Sequence, residues 1–208
     1  MGETTTIASD DAPDLQRIVQ RKLGRCLVRL QQYEWLLKTM VAHNELSCPA
    51  DQLHTIREQK IACTQSKTMG ALVGMLTNSF LTLPLSNEEK SKTQIDASDQ
   101  LWLSYRYQVE MPAEHYEATK VALKELVDLR NKLVHHFLEC FDLWSESGCQ
   151  AADGFLEESY ETINRHCLNL QSWAKSMNEA QAKMASFMQS PEFLDMFIDG
   201  ICVDGSVD

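Results

Sequence analysis

Along residues 15–40, apolar side chains recur at steps of four and three: Leu15, Val19, Leu23, Cys26, Leu30, Tyr33, Leu37 and Met40. No other pattern in the chain restricts the fold as strongly. An α-helix turns about 100° per residue, so this spacing gathers the eight side chains into one narrow stripe. Such a stripe is stable only when another element covers it. A second stripe of the same kind runs through Leu156, Tyr160, Ile163, Cys167, Leu170, Ala174 and Met177. Together they predict two long helices, packed antiparallel, as the frame of the domain.

The intervening residues predict the rest of the frame. Asp14 opens the first helix, which is expected to run to about Leu46. Pro49 suits the first turn of a second helix, carrying Leu53, Ile56 and Ile61 and continuing through Met69, Leu72, Val73 and Leu76. Gly70 and Gly74 lie four apart on it, which predicts close helix packing. The polar stretch 83–100 reads as a loop. Leu101, Leu103, Tyr105, Tyr107 and Val109 then alternate with Trp102, Ser104, Arg106 and Gln108, the period of an extended strand. Its partner is expected from Thr93–Ile95 or from a second subunit. Pro112 and Glu114 start another helix, whose apolar face includes Leu133, Phe137 and Phe141 and whose end is expected at Gly148. Ser190-Pro191-Glu192 caps a short last helix that stops at Gly200.

The expected fold is all-α: an antiparallel four- to five-helix bundle with one short strand or hairpin element. Residues 1–13 are expected to be a flexible N-terminus, 14–200 the bundle and 201–208 a polar tail. The apolar face around Phe137 and Phe141 is wider than a seam needs, which predicts a homodimer.

Composition excludes several classes. Seven cysteines, an odd number with no Cys-x-x-Cys pair, and no apolar leader point to free thiols in the cytoplasm. No ligands have the spacing of a zinc site, and no cofactor motif occurs, so no metal or cofactor is expected. No apolar run has membrane-spanning length. The net charge of −11 argues against a general nucleic-acid binder. Its distribution is uneven. Residues 142–208 hold twelve acids and three bases, a balance of −9, whereas residues 15–33 hold five bases and no acid. Those bases, Arg17, Arg21, Lys22, Arg25 and Arg29, form a drifting stripe on the first helix, either a solvated face or a track for RNA phosphates.

One segment carries chemistry: Leu129-Arg130-Asn131-Lys132-Leu133-Val134-His135-His136-Phe137. An arginine suits the charge that gathers on phosphate oxygens, and a histidine moves protons near neutral pH. On a regular helix, residues five apart point about 140° away from each other, so Arg130 and His135 need a kink or a second subunit to converge. Asn131 and His135, four apart, share a face. The plain alternative is a packed helix with a solvated Arg130 and two histidines satisfied by neighbouring groups.

The pattern Arg-polar-x-x-x-His late in a helix of an all-α bundle resembles HEPN domains. Val134-His135-His136-Phe137 and the later Trp173, Ala174 and Met177 add to the likeness. The resemblance implies a metal-independent endoribonuclease acting on RNA in defence, stress response or RNA processing, with toxin-antitoxin systems among its settings. It implies that Arg130 holds the scissile phosphate, Asn131 orients it and His135 moves protons, with His136 as an accessory. One HEPN subgroup has a modifiable tyrosine two residues after the histidine. Phe137 stands there, so the chain departs from that subgroup. The rival reading is a non-catalytic HEPN-like module for protein or RNA interaction, or a regulatory partner of a toxin.

Overall fold

A computed structural model describes residues 12–84 and 101–195. Its elements are α1 (Ala12–His43), β1 (Glu45–Pro49), α2 (Leu53–Gln65), α3 (Met69–Ser79), β2 (Leu81–Thr82), β3 (Trp102–Arg106), β4 (Val109–Glu110), α4 (Ala113–Asn131), a π-helical segment (Lys132–His136), α5 (Phe137–Cys140) and α6 (Glu146–Met188). The fold is mostly helical, with two small two-stranded sheets. Within the described residues, no helix is long and apolar enough to cross a membrane.

Both predicted stripes form the centre of the core. Val19, Cys26, Leu30, Tyr33, Leu37 and Met40 are buried on α1, and Leu156, Ile163, Cys167, Leu170, Ala174 and Met177 on α6. Burying one such large aliphatic side chain contributes about 1.5–3 kcal/mol, so the seam dominates packing. The direction of the pair corrects the sequence reading. Gln16 donates to the Leu143 carbonyl (2.7 Å), Lys22 pairs with Asp153 (2.7 Å), and Arg29 donates to Asn164 (2.8 Å). At the far end Gln181 donates to the His43 carbonyl (3.4 Å). Both numberings rise together, so α1 and α6 are parallel, not antiparallel. A four-three stripe reads the same from either end; the connection sets the direction. Here the run from α4 through α5 returns alongside α1, placing Arg130 and Val134 beside Leu27, Glu34 and Lys38.

Other boundaries also differ. The expected second helix is two, because Thr68 leaves helical geometry and caps α3, its hydroxyl accepting from the Ala71 N–H (3.4 Å). A Cβ at Gly70 would make an ordinary 3.6 Å contact with Val127, and one at Gly74 would meet nothing, so neither glycine is required by close packing. The predicted alternation holds, with Leu103 and Tyr105 half-buried and Trp102, Ser104 and Arg106 exposed. The strand's partner is β1, antiparallel, from Glu45 opposite Arg106 to Pro49 opposite Trp102. That segment, where the sequence predicts the end of one helix and the start of the next, is a strand in the structure. It forms a strand because Leu46 and Cys48 are buried while Ser47 is exposed. Thr93–Ile95, the expected partner, lies outside the described residues. So do residues 1–11, Cys202, the expected helix stop at Gly200 and the 201–208 tail. The start of the last helix is present, with Ser190 Oγ accepting from the Phe193 N–H (3.3 Å).

The helix expected to end at Gly148 ends at Cys140. Gly148 instead sits in the first turn of α6, where its N–H donates to the capping Ser145 hydroxyl (3.1 Å). The apolar width that suggested a subunit contact is used inside the chain. Phe137 is buried, and the rings of Phe137, Phe141 and Phe155 stack in series with centroids 5.1 Å apart at each step.

The described cysteines are all free, and only Cys63 and Cys140 are exposed. Burial pushes the Cys26 thiol up to about 11. The thiolate is the reacting form. Iodoacetamide near pH 8 is therefore expected to label Cys63 and Cys140 first among the described cysteines, read by mass spectrometry. Early labelling of Cys26 would contradict its packing.

Candidate active site

Arg130 and Asn131 end α4, and His135 and His136 lie in the π-helical segment that follows. A π turn closes from i to i+5 and holds more residues than an α turn, so the residue five along swings back towards the first. The chain thereby supplies the kink that the motif needs. The Arg130 guanidinium donates to Nε2 of His135 at 3.1 Å, within one chain. A guanidinium offers only hydrogens, so Nε2 is the acceptor and the ring hydrogen sits on Nδ1. The same Arg130 nitrogen donates to Asn131 Oδ1 at 3.2 Å. One nitrogen of the fork is thus held by its neighbours. The other nitrogen and Nε are left for a ligand such as a phosphate.

The segment is anchored below and open above. Leu133 and Phe137 are buried, Arg130 and Asn131 are half-buried, and His135 and His136 face solvent. Lys132 lies over the Phe155 ring at 4.3 Å, a cation–π contact that ties the segment to α6. His136 returns its backbone towards α5 (φ −123°, ψ 6°), and its Nδ1 lies 2.9 Å from a Glu139 oxygen. The two imidazoles are 6.3 Å apart and nearly edge to face. Glu139 follows His136 by three residues, a helical spacing that is the sequence's own signal for this contact.

The basic stripe behaves differently. Arg17 pairs with Asp14 (3.1 Å). Lys22 pairs with Asp153 and Glu157 of α6, and their hydrogen bonds raise its pKa above the ordinary lysine value. Arg25 lies over the Tyr160 ring at 3.5 Å, and Arg29 donates to Asn164. Lys22, Arg25 and Arg29 therefore border the α1–α6 seam and join the two helices. Arg21 is exposed. The surface of α1 beside Arg130 carries Leu27, Gln31, Glu34 and Lys38. Residues two apart on a helix point about 200° away from each other, so Leu27 and Gln31 face away from Arg25 and Arg29. Arg25 and Arg29 thus point away from the motif, although Arg29 also borders a further depression with Gln31 and Trp35.

Two depressions flank Arg130. One, of about 450 Å³, is walled by Leu27, Trp35 and Val134. The other, of about 500 Å³, lies between Lys38, Lys67, Thr68 and Asn131. No sequence pattern marked Lys38, Lys67 or Trp35, because α1 carries Trp35 and Lys38 to the motif and the α2–α3 turn carries Lys67, all from distant positions. Trp35 is 70% exposed and Trp144 87%. Among the described residues, no three His, Cys, Asp or Glu side chains are grouped to hold a metal ion.

Comparison with protein-family models, curated proteins and solved structures finds no match for this chain.

Proposed function

We propose that the chain is a HEPN-type endoribonuclease that cuts RNA by attack of the ribose 2′-hydroxyl, without a metal ion. The observation that carries this reading is the 3.1 Å Arg130–His135 contact across the π turn. A packed helix with a solvated arginine has no need of that contact. In the proposed reaction, a phosphate draws the guanidinium of Arg130 off His135, which frees the Nε2 lone pair, and Nε2 then takes the 2′-hydroxyl proton. The 2′-oxygen forms its bond to phosphorus as the bond to the 5′-oxygen breaks. Charge growing on the non-bridging oxygens meets the guanidinium. The leaving 5′-oxygen takes the Nε2 proton of His136 in its imidazolium form, and the neutral ring that remains keeps its Nδ1–H on Glu139. The products are a 2′,3′-cyclic phosphate and a 5′-hydroxyl. Asn131 positions Arg130.

The test is incubation of purified protein with total RNA in excess EDTA, followed by mapping of cut ends. Cleavage with 2′,3′-cyclic phosphate ends is expected. Absence of cleavage at every protein concentration would overturn the enzymatic reading. The net charge of −11 favours the second reading, a non-catalytic interaction module of the cytoplasm.

The assembly we propose is a homodimer. Val134 and Leu138, a turn apart beside the motif, are both exposed, and a symmetric partner would cover this apolar surface. Light scattering at micromolar concentration is expected to give twice the 23.7 kDa chain mass. A monomer there would contradict it.

A further inference from the structure

The two depressions share a wall. Glu34, Lys38 and Arg130 line both, so a ligand lying in one continues past the guanidinium into the other. Their characters differ. Beyond the shared wall the first is mainly apolar, with Leu27, Leu30 and Val134, and carries the flat, exposed indole of Trp35. The second gathers Lys38, Lys67 and Arg130 against one carboxylate, Glu34, which pairs with Lys38 at 2.9 Å. Its local balance is three cations against one anion, +2, in a chain whose net charge is −11. Among the described residues, Lys67 and Arg130 have no carboxylate partner.

A flat aromatic surface beside a cationic cleft matches one ligand chemistry in particular. Single-stranded nucleic acid presents an unpaired base and a phosphate in alternation, and aromatic side chains take the base while cations take the phosphate. A paired base in an A-form helix is stacked on both faces and cannot lie on Trp35. We infer that this surface binds single-stranded RNA, with one base stacked on Trp35, the scissile phosphate at Arg130 and a neighbouring phosphate between Lys38 and Lys67. The inference rests on the ribonuclease reading and narrows its substrate to unpaired RNA. It also assigns the phosphate contacts to Lys38 and Lys67 and not to Lys22, Arg25 and Arg29, which are engaged with α6.

The test is fluorescence anisotropy with a short, labelled, fully 2′-O-methylated oligouridine, which binds but has no 2′-hydroxyl to attack. Trp35→Ala is expected to weaken binding roughly tenfold or more, through loss of one stacked base. Lys67→Gln is expected to weaken it and to flatten the log–log salt slope by about 0.7, the value for one phosphate contact on a single strand. Lys175→Gln, a control on α6, is expected to change neither. A perfect RNA duplex of equal length is expected to bind the wild type more weakly than the single strand. If wild type cleaves total RNA but Trp35→Ala and Lys67→Gln bind the oligomer as wild type does, the inference fails and the ribonuclease reading stands. If Trp35→Ala alters the mass by light scattering and leaves affinity unchanged, Trp35 is a subunit contact and the inference fails. If wild type neither binds nor cleaves, the ribonuclease reading fails first.

Discussion

Changing either Arg130 or His135 to alanine is expected to lower the single-turnover rate of RNA cleavage by about two to four powers of ten. In the proposed reaction the two groups, in contact at 3.1 Å, act on one phosphodiester. Removing the imidazole removes the acceptor for the 2′-hydroxyl proton. Removing the guanidinium leaves the developing phosphate charge unmatched. Groups that work as a unit are not additive, so the double variant is expected to be no slower than the worse single one within about tenfold. Both side chains lie on the partly open face of the segment, so helix content and melting temperature should stay near wild type. Asn131→Ala is expected to have a milder effect, because its oxygen positions Arg130 and carries no charge. Rapid quench with labelled RNA measures all four. Cleavage by His135→Ala at the wild-type rate would remove it from the reaction.

Gly148→Ala is expected to destabilise the fold by about 3 kcal/mol, because a clash with backbone cannot be relieved by turning a side chain. A Cβ at this position would fall into the Asp142 carbonyl, 2.7 Å from its carbon, and 2.8 Å from Ser145 Oγ. The affected turn does much of the work of starting α6. Ser145 caps the helix, the Asp142 carboxylate accepts from the Trp144 N–H (3.0 Å), and Gln16 reaches from α1 to the Leu143 carbonyl. For a domain of this size, that loss corresponds to a fall in Tm of about 6–12 °C. Gly154→Ala is the internal comparison. It lies in the same helix with open space around it and is expected to stabilise by about 0.5–1 kcal/mol. Thermal melts followed by circular dichroism separate the two. Equal melting temperatures for the two variants would show that the turn can move aside.

The two long helices were legible because their stripes obey one period for many residues. Their relative direction was not, since a stripe carries no polarity and the return through α4 and α5 is a property of the whole chain. β1 carried a signal that was overridden: Leu46 and Cys48 alternate with Ser47, but five residues of period two are easily absorbed into the end of a long helix. Gly148 looked like a helix stop because glycine commonly ends helices, and only the nearness of Asp142 shows why a glycine is needed at a helix start. The motif residues were found from type and spacing alone. Their convergence was not, because an α-helical wheel sets Arg130 and His135 apart, and the π turn becomes visible only when Leu133 and Phe137 are both seen in the core. The cleft beside Arg130 was invisible for a simpler reason. Lys38 lies on α1, Lys67 in the α2–α3 turn and Asn131 at the end of α4, and only packing assembles them.

Mixing two inactive variants tests the central claim, that one chain assembles the Arg130–His135 pair, most directly. Arg130→Ala and His135→Ala chains are co-expressed so that mixed assemblies form, and cleavage is measured beside wild type. No chain in the mixture carries both groups. The in-chain pair seen here predicts that wild type cleaves and that the mixture cleaves no faster than either variant alone. Recovery of a measurable share of the wild-type rate by the mixture would contradict it, placing the working arginine and histidine on different chains.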